Sequence, residues 1–322
     1  MEFIVRPIEK EEREKFFQLA EEMGSVFASS TWIEFQPNCI LLGIFRSDGQ
    51  LAGGCAVQES KLKIFKILVN PGFSPNCGFF LKQEASQNAQ RIATIKAGMK
   101  ALISYIGSLG YPLVDISFGP EIQDVQVFQW DGFRVQPAYT YRLNLEVSEE
   151  ELWGGIHSSR RNRIKKLEAE GVHTVLTSNP GEVSDIITRR LESKSLNFDS
   201  QLCSHIISKS LKNGTGIAIL AKDEHSDVSA SFGMMLNEYC YYLFGGTRVG
   251  NSDQGASLSL WHLILEAKKQ GKTVFDFEGS MVPSIEQFFR SFGGELVQYH
   301  RIKKASLWME GLLRILKPGY WN

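Results

Sequence analysis

Residues 103–119 (ISYIGSLGYPLVDISFG) and residues 264–279 (ILEAKKQGKTVFDFEG) decide the fold, because the two stretches align without a gap over most of their length. Identical residues recur at a constant spacing of 161 positions, half of the 322 residues. Two pairs lie within the stretches, Gly110 with Gly271 and Asp115 with Asp276, and two lie beyond them, Phe128 with Phe289 and Gly132 with Gly293. A repeat of this kind predicts that one structural unit was duplicated.

Both halves predict the element order β-β-β-α-β-α-β. Apolar runs of strand length, amphipathic runs of helical length and glycine breaks give the assignments. In the second half we expect strands at 216–222, 228–236 and 239–245, a helix at 255–270, a strand at 273–277, a helix at 284–292 and a strand at 295–302. In the first half we expect strands at 39–45, 51–57, 62–69, 112–118 and 133–145, with a long helix at 88–109. A helix at 148–171, capped by Ser148, opens the second unit, so we place the boundary near residue 147.

Composition excludes several classes of protein. Hydrophobic residues make up 43% and charged residues 22%, as in ordinary globular proteins. The 35 Lys+Arg and 36 Asp+Glu give a net charge of −1, so no overall field attracts DNA or anionic lipid. No apolar run is long enough for a transmembrane segment, and the N-terminal stretch lacks a secretory signal. Five scattered cysteines without metal-ligand spacing predict neither disulfides nor a metal site, and we expect a cytoplasmic protein.

The element order resembles the acyl-CoA N-acyltransferase (GNAT) fold, and a tandem pair of such units resembles the FemABX and FemAB-like transferases. The specific pieces are 27–35 (FASSTWIEF), 159–166 (SRRNRIKK), 276–279 (DFEG) and 288–294 (FFRSFGG). The resemblance implies an α+β fold of two tandem GNAT-like domains, 1–147 and 148–322, each a mixed, mostly antiparallel sheet flanked by helices. A long charged helical arm between 148 and 215 is missing, and the first half lacks a glycine-rich turn before residue 88. We therefore expect the first half to be the poorer donor site.

A glycine-rich segment at 245–256 precedes the predicted helix of the second half. It loosely resembles the loop that holds the phosphates of coenzyme A, and helix N-termini favour anions. The predicted donor-binding residues are Arg248, Gly250, Gln254, Gly255 and Ala256. The alternative is an ordinary Gly/Asn/Ser loop, which Asp253 favours because its charge opposes a phosphate.

A basic tract at 160–166 carries five positive charges. A tract of this density predicts a local anion site, and the substrate-binding candidates are Arg160, Arg161 and Arg163. The alternative is a solvated helix face.

Acyl transfer to an amine needs a proton acceptor and groups that stabilise the developing oxyanion. Glu278 ends a predicted strand, where it could deprotonate an amine through water, and Tyr242 is a candidate proton donor to the leaving group. The resemblance adds Lys303, in the position of a basic residue near the donor. The alternative for Glu278 is a helix-capping or arginine-pairing carboxylate, that for Tyr242 is a core aromatic, and that for Lys303 is a solvated lysine. For Asp276 we favour a structural role.

The resemblance implies an N-acyltransferase that moves an acyl or aminoacyl group onto an amine of a small-molecule or cell-wall (peptidoglycan) precursor. The donor is acyl-CoA or aminoacyl-tRNA, and the neutral charge and absent arm favour acyl-CoA. The rival interpretation is a non-catalytic ligand-binding or scaffold protein of the same fold. The amphipathic stretch 306–316 is predicted to be a terminal helix that packs on a domain, with a subunit contact or weak membrane association as alternatives.

Overall fold

The computed structural model describes residues 2–193, 198–224, 226–248, 255–279, 281–317 and 319–321. The strands in these ranges are β1 (Phe3–Pro7), β2 (Cys39–Arg46), β3 (Leu51–Leu62), β4 (Phe65–Val69), β5 (Phe80–Leu81), β6 (Leu113–Phe118), β7 (Arg134–Asn144), β8 (His173–Leu176), β9 (Gly216–Lys222), β10 (Asp227–Leu236), β11 (Tyr239–Thr247), β12 (Val274–Asp276) and β13 (Glu295–Ala305). The α-helices are α1 (Arg13–Glu22), α2 (Ser30–Ile33), α3 (Asn88–Ser108), α4 (Gln126–Trp130), α5 (Glu149–Gly155), α6 (Ser158–Ala169), α7 (Pro180–Ser193), α8 (Ser200–Lys212), α9 (Ala256–Lys269), α10 (Pro283–Arg290) and α11 (Leu307–Leu316).

The chain forms two compact units with the same strand order. Unit 1 is Met1–Ala138 with Gln298–Asn322, and unit 2 is Tyr139–Val297. The order is β1-β2-β3-β4-β6-β13 in unit 1 and β8-β9-β10-β11-β12-β7 in unit 2. Each unit has one parallel pair, β4 with β6 and β11 with β12, among antiparallel neighbours. The predicted fold class, two tandem units with mostly antiparallel sheets flanked by helices, is confirmed.

The last strand of each sheet comes from the other half of the sequence. In unit 1, β6 pairs with β13, so that Ile116 lies opposite Ile302. In unit 2, β12 pairs with β7, so that Asp276 lies opposite Arg142. The compact units therefore follow this exchange of strands rather than the repeat. The division at residue 147, as the point where two copies join, stays a prediction.

Each unit has its own apolar core beneath a long helix. In unit 1, α3 contributes Met99, Leu102 and Ile106 to the core. In unit 2, α9 contributes Leu260 and Ile264. Spacings of three and four residues place these side chains on one helix face, as the sequence predicted. Complete burial of one such side chain stabilises the fold by about 1.5–3 kcal/mol.

The region predicted as one helix at 148–171 is two helices, so that prediction was wrong in part. Ser148 does begin α5 with a capping box, which its side chain forms with Glu151. The helix ends after two glycines, and Ile156 is extended with ψ of 135°. His157 then caps α6 by accepting a hydrogen bond from the Ser159 N–H. Consecutive glycines disfavour helix and a new cap favours a restart, so the break is local in origin.

No helix within the described ranges has both the length and the apolar character needed to cross a membrane. The five cysteines carry free thiols, and four of them are buried. Burial raises the pKa of the Cys240 thiol to about 12, which disfavours the reactive thiolate.

Candidate active site

A cavity of about 1000 Å³ opens in unit 2 where its two parallel strands separate. β11 and β12 are paired from Tyr239 opposite Val274 to Tyr241 opposite Asp276. β12 then ends, while β11 continues to Thr247. Residues after the point of separation line the cavity, including Tyr242 on one strand and Glu278 beyond the other.

A left-handed turn directs the chain away from β12 at the cavity wall. Glu278 has φ of 60° and Gly279 has φ of 69°. A side chain at position 279 would also collide, because a Cβ there would lie 1.9 Å from the carbonyl oxygen of Tyr139. Only glycine allows this close approach of two backbone segments, which explains why glycine follows Glu278.

Asp276 fixes that turn from within the sheet. Its buried carboxylate accepts hydrogen bonds from Arg142 Nε at 2.7 Å and from Thr140 Oγ1 at 2.6 Å. The backbone N–H of Glu278 donates to the same carboxylate at 2.9 Å. Asp276 therefore has a structural role, as the sequence favoured, and it positions the residue that faces the cavity.

Glu278 supplies a carboxyl group to the cavity. Part of the residue reaches the surface, but its Oε1 atom is buried and has no hydrogen-bond partner in the described part of the chain. Burial raises the pKa of this carboxyl well above its usual range; the nearby Asp276 charge raises it further, and the Arg142 charge opposes the shift. A carboxyl group in this state suits general acid–base chemistry, because its pKa is moved toward the working pH.

Tyr242 lies in the same cavity as Glu278. Its ring packs edge-on against Phe289, with 5.7 Å between centroids. Its hydroxyl occupies the space beside Gly245, where an added Cβ would lie 1.7 Å from the hydroxyl oxygen. Residue 245 must therefore be small for the tyrosine to take this position.

Arg160 of the basic tract also lines the cavity. Its Nε donates to Ser291 Oγ at 2.9 Å and its NH1 donates to Ser257 Oγ at 2.6 Å. The guanidinium lies over the ring of Phe288, 4.5 Å from its centroid. These contacts hold a cation beside the first turn of α9.

The other two arginines of the tract are not among the residues that line the cavity. Arg161 donates to the carbonyl oxygens of Trp153, Gly154 and Ile156, where it closes the end of α5. Arg163 is half-buried on α6. Their substrate-binding role stays a prediction.

Arg190 is a cavity residue that the sequence did not single out. It projects from α7, it is half-buried, and it has no ion pair among the described residues. Its exposed neighbour Arg189 is paired with Asp185 at 2.6 Å. The amphipathic pattern of residues 180–193 predicts a helix but gives no reason to prefer one arginine over the other.

The predicted donor-binding residues are only partly described. Gly250 and Gln254 lie outside the described residues. Ala256 begins α9 and lines the cavity, and Gly255 precedes it with φ of 92°. Arg248 is exposed just after β11. Ala256 therefore places the N-terminus of a 14-residue helix at the cavity, where backbone N–H groups favour an anion.

Lys303 belongs to unit 1, whereas the cavity is lined by residues of unit 2. It is buried, its Nζ donates to the carbonyl oxygen of Tyr320 at 2.7 Å, and it lies over the ring of that tyrosine. Burial lowers the pKa of Lys303 to about 8. The other two catalytic candidates, Tyr242 and Glu278, are brought together without it.

The corresponding position in unit 1 is closed by the chain itself. Beyond the paired part of β4 and β6, the Cys77 N–H donates to the Ser117 carbonyl at 2.8 Å, and the Ala56 N–H donates to the Cys77 carbonyl at 2.8 Å. Asn70 Oδ1 accepts from the Ser117 N–H at 3.0 Å. In the 161-residue repeat, Ser117 aligns with Glu278, so the carboxyl group is also missing here. Both features support the expectation that the first half is the poorer donor site.

The strand order repeated in both units, and the gap beside the parallel strand pair of unit 2, are those of the FemAB-like tandem GNAT fold. No known family profile matches the chain, and no curated protein sequence is significantly similar. Among solved structures, the chain is similar to FemX, with 11% identity over 97% of this chain and 99% of that one, at a TM-score of 0.66.

Two further solved structures have the same fold. The first is L-PGS from Bacillus licheniformis, with 14% identity over 96% of both chains and a TM-score of 0.55. The second is a tandem GNAT protein from the clavulanic acid biosynthesis pathway, with 10% identity over 94% of this chain and 98% of that one, also at 0.55. These similarities extend over nearly all of each chain.

Proposed function

We propose that the protein is an N-acyltransferase whose reaction takes place in the unit 2 cavity, with Glu278 as the general base. The observation that carries the proposal is Glu278, which lines a cavity at the separated parallel strands and whose buried Oε1 has no partner in the described ranges. The amine nitrogen of the acceptor attacks the donor carbonyl carbon and forms the new C–N bond. Its proton passes to Glu278, directly or through water, and the bond to the leaving group breaks.

Tyr242 is proposed to donate its hydroxyl proton to the departing group. In the alternative mechanism, the leaving group departs as an anion and takes up the proton that Glu278 accepted from the amine. The two possibilities differ in whether a phenylalanine at position 242 slows the reaction, since phenylalanine keeps the ring contacts but removes the proton.

The acceptor is proposed to carry a negative group in addition to its amine. Arg160 and Arg190 place two positive charges at one cavity whose carboxyl is shifted toward its neutral form. A phosphate or carboxylate of the acceptor would pair with Arg190, which has no ion pair among the described residues, because guanidinium groups bind both in a bidentate geometry. A cell-wall precursor with phosphate and amine groups fits this description.

The donor is proposed to bind at the N-terminus of α9, with Ala256 and Arg248 close to its anionic part. Acyl-CoA is favoured over aminoacyl-tRNA because a net charge of −1 provides no extended attraction for a nucleic acid. No metal ion takes part in this proposal.

The test compares the wild type with Glu278→Gln, using acetyl-CoA and charged total tRNA as donors, and amino acids and UDP-linked muropeptide precursors as acceptors. We expect transfer by the wild type and a loss of about 10²–10⁴-fold in kcat for the variant, with donor affinity unchanged. Glu295→Gln, at an exposed strand position of unit 2, is the matched control. Transfer at the wild-type rate by Glu278→Gln would refute the general-base role. Binding of these ligands without transfer would instead favour the scaffold interpretation.

A further inference from the structure

Unit 1 carries a surface from which large apolar side chains project into solvent. Ile64, at the turn between β3 and β4, is 83% exposed. On α11, Leu307 is 90%, Trp308 52% and Ile315 78% exposed. Single exposed apolar residues are normal, but several on neighbouring elements mark an interaction surface. We call these four side chains, with the hairpin and helix that carry them, the hairpin–helix surface.

The two elements of this surface are held together by packing. The ring of Phe65 lies against the ring of Trp308, with 4.9 Å between centroids. Met309 and Leu313, on the opposite side of α11, are buried against Leu113. The exposed side chains therefore stand on a fixed base. Leu307 and Ile315 lie about two helical turns apart, with Gly311 between them.

Basic residues outnumber acidic ones beside the exposed apolar side chains of the hairpin–helix surface. Two local ion pairs use Lys66 with Glu59 and Arg314 with Glu310. Two lysines beside the apolar tips, Lys63 and Lys317, have no ion pair within the described ranges. Lys63 lies at the turn beside Ile64, and Lys317 follows the last turn of α11. Lys61 lies on the hairpin face opposite to the one that packs on α11 and is not part of the surface. The local charge is thus positive although the whole chain has a net charge of −1.

The shape and charge of the surface together indicate its occupant. Side chains that are 78–90% exposed protrude from the surface. Protruding apolar groups flanked by lysine fit the boundary between lipid headgroups and acyl chains, where tryptophan is also favoured. A two-fold contact with a second copy would bring the same unpaired lysines face to face, which is unfavourable. Anionic headgroups, in contrast, neutralise them.

We propose that the hairpin–helix surface docks unit 1 on an anionic lipid bilayer. Ile64, Leu307 and Ile315 enter the interfacial region, and the unpaired lysines contact the headgroups. The apolar insertion and the charge attraction are both needed, because a small number of apolar side chains gives only weak, reversible membrane binding. The interaction is peripheral and does not depend on the proposed reaction in unit 2.

The test is co-sedimentation of the full chain with two kinds of vesicle. One kind is pure phosphatidylcholine, and the other contains about 30–40% phosphatidylglycerol, which gives the surface a negative potential as in anionic leaflets. We expect binding to the anionic vesicles, weakened when salt shortens the Debye length from about 10 Å at 0.1 M to about 3 Å at 1 M. The Ile64→Glu/Leu307→Glu variant should reduce the bound fraction at least about tenfold, because each change removes an apolar contact and adds a repelled charge.

The control is Ile4→Glu, which makes the same chemical change on β1 at a residue that is 57% exposed. Circular dichroism of all variants confirms that they are folded. Equal binding of the control and the double variant would overturn the proposal, as would failure of the wild type to bind anionic vesicles. Self-association that the double variant abolishes, without vesicle binding, would assign the surface to a second copy and would also overturn it.

Discussion

At the scale of single residues, the repeat provides a pair of comparable ion pairs. Asp115 is bound by Arg301 through Nε at 2.6 Å, and Asp276 is bound by Arg142 through Nε at 2.7 Å. The two aspartates align in the repeat, and each arginine lies on the exchanged strand of its unit. The pairs therefore connect each sheet to its last strand. Removing one partner of the largely buried Asp276–Arg142 pair is expected to cost about 3–5 kcal/mol. The cost should be smaller for Asp115–Arg301, because the arginine side chain is 44% exposed and water screens its charge.

The pH dependence of stability tests the state of Glu278. Because burial raises the pKa of this carboxyl in the folded protein, the folded state holds a proton that the unfolded state releases above about pH 4.3. The free energy of unfolding should therefore fall as pH rises from that value to the raised pKa, with a slope of up to about 1.4 kcal/mol per pH unit.

Glu278→Gln removes this titration, so the variant should become progressively more stable than the wild type over the same pH window. Urea unfolding of both proteins at several pH values measures the difference. A constant difference across that window would contradict a raised pKa. Under the proposed mechanism, kcat/KM should in turn rise with pH, because the base acts only when ionised.

Arg190 and Arg189 allow a controlled test of anion binding. Arg190→Gln should raise the acceptor KM by about 10–100-fold, which corresponds to loss of one charged hydrogen bond of about 1.5–3 kcal/mol. The donor KM should remain unchanged. Arg189→Gln is the control, since it changes the adjacent, exposed arginine that is already paired with Asp185. Equal effects of the two variants would point to general electrostatics rather than a specific contact.

Residue-scale prediction from the sequence was uneven for a physical reason. Glu278 and Tyr242 could be selected because they lie on elements whose order was predictable, and both line the cavity. Arg190 could not be selected, because a helix pattern does not specify which polar side chain turns toward a distant strand. Lys303 lies within β13, opposite Asp115 of unit 1, a location that its spacing along the chain does not reveal.

At the scale of elements, the turn after β12 depends on glycine at position 279. Gly279→Ala would place a methyl group 1.9 Å from the Tyr139 carbonyl oxygen at φ of 69°. We expect a cost of about 3 kcal/mol or more, from the left-handed backbone and the overlap together. Gly271→Ala is the control, because φ is 76° there and the space around it is open.

The control variant should cost only the backbone term of about 1–2 kcal/mol. Thermal and urea unfolding of both variants measure the difference. Similar losses in the free energy of unfolding for the two variants would show that the backbone around Tyr139 can move away from residue 279.

Element boundaries were predictable where apolar periodicity was strong. The long helices α3 and α9 and the strands of the two sheets agree with their predicted ranges to within a few residues. β8 and β1 were not predicted, since four or five residues at the border of a sheet carry too little pattern. The sequence predicted one helix in place of α5 and α6. The acidic, capped first turn of α5 is a strong helix signal, and the two glycines that end α5 were not recognised as a break.

At the scale of the whole molecule, the exchange of strands determines which fragments can fold. A fragment of residues 1–147 contains β6 without its partner β13 and lacks the helix that covers Leu113. We expect it to aggregate, because an unpaired strand edge and uncovered apolar residues are exposed. A chain that joins 1–138 to 298–322 through a flexible Gly/Ser linker should fold, since it contains all of unit 1.

Circular dichroism, with urea unfolding, distinguishes the two fragments. A single cooperative transition is expected for the linked fragment and none for residues 1–147. Cooperative unfolding of residues 1–147 alone would show that the exchanged strand is dispensable.

The exchange itself was beyond prediction from the sequence. Apolar alternation specifies that residues 133–145 and 295–302 form strands and which of their faces is buried. Because the two copies of the repeat have equivalent sheets, either final strand satisfies the same pattern in either unit. The order of elements was thus predictable, whereas the pairing partner of each last strand was not.

The chain passes from unit 1 into unit 2 and then back into unit 1, and this path sets the order in which the units can be completed during synthesis. The ribosome completes every residue of unit 2 before it makes the segment that closes unit 1. The first-made part of the protein must therefore wait, with one edge of its sheet unprotected, until the latest-made part arrives. A fragment of residues 1–297, released from the ribosome, should accordingly hold a protease-resistant second unit and a first unit that is still open to cleavage.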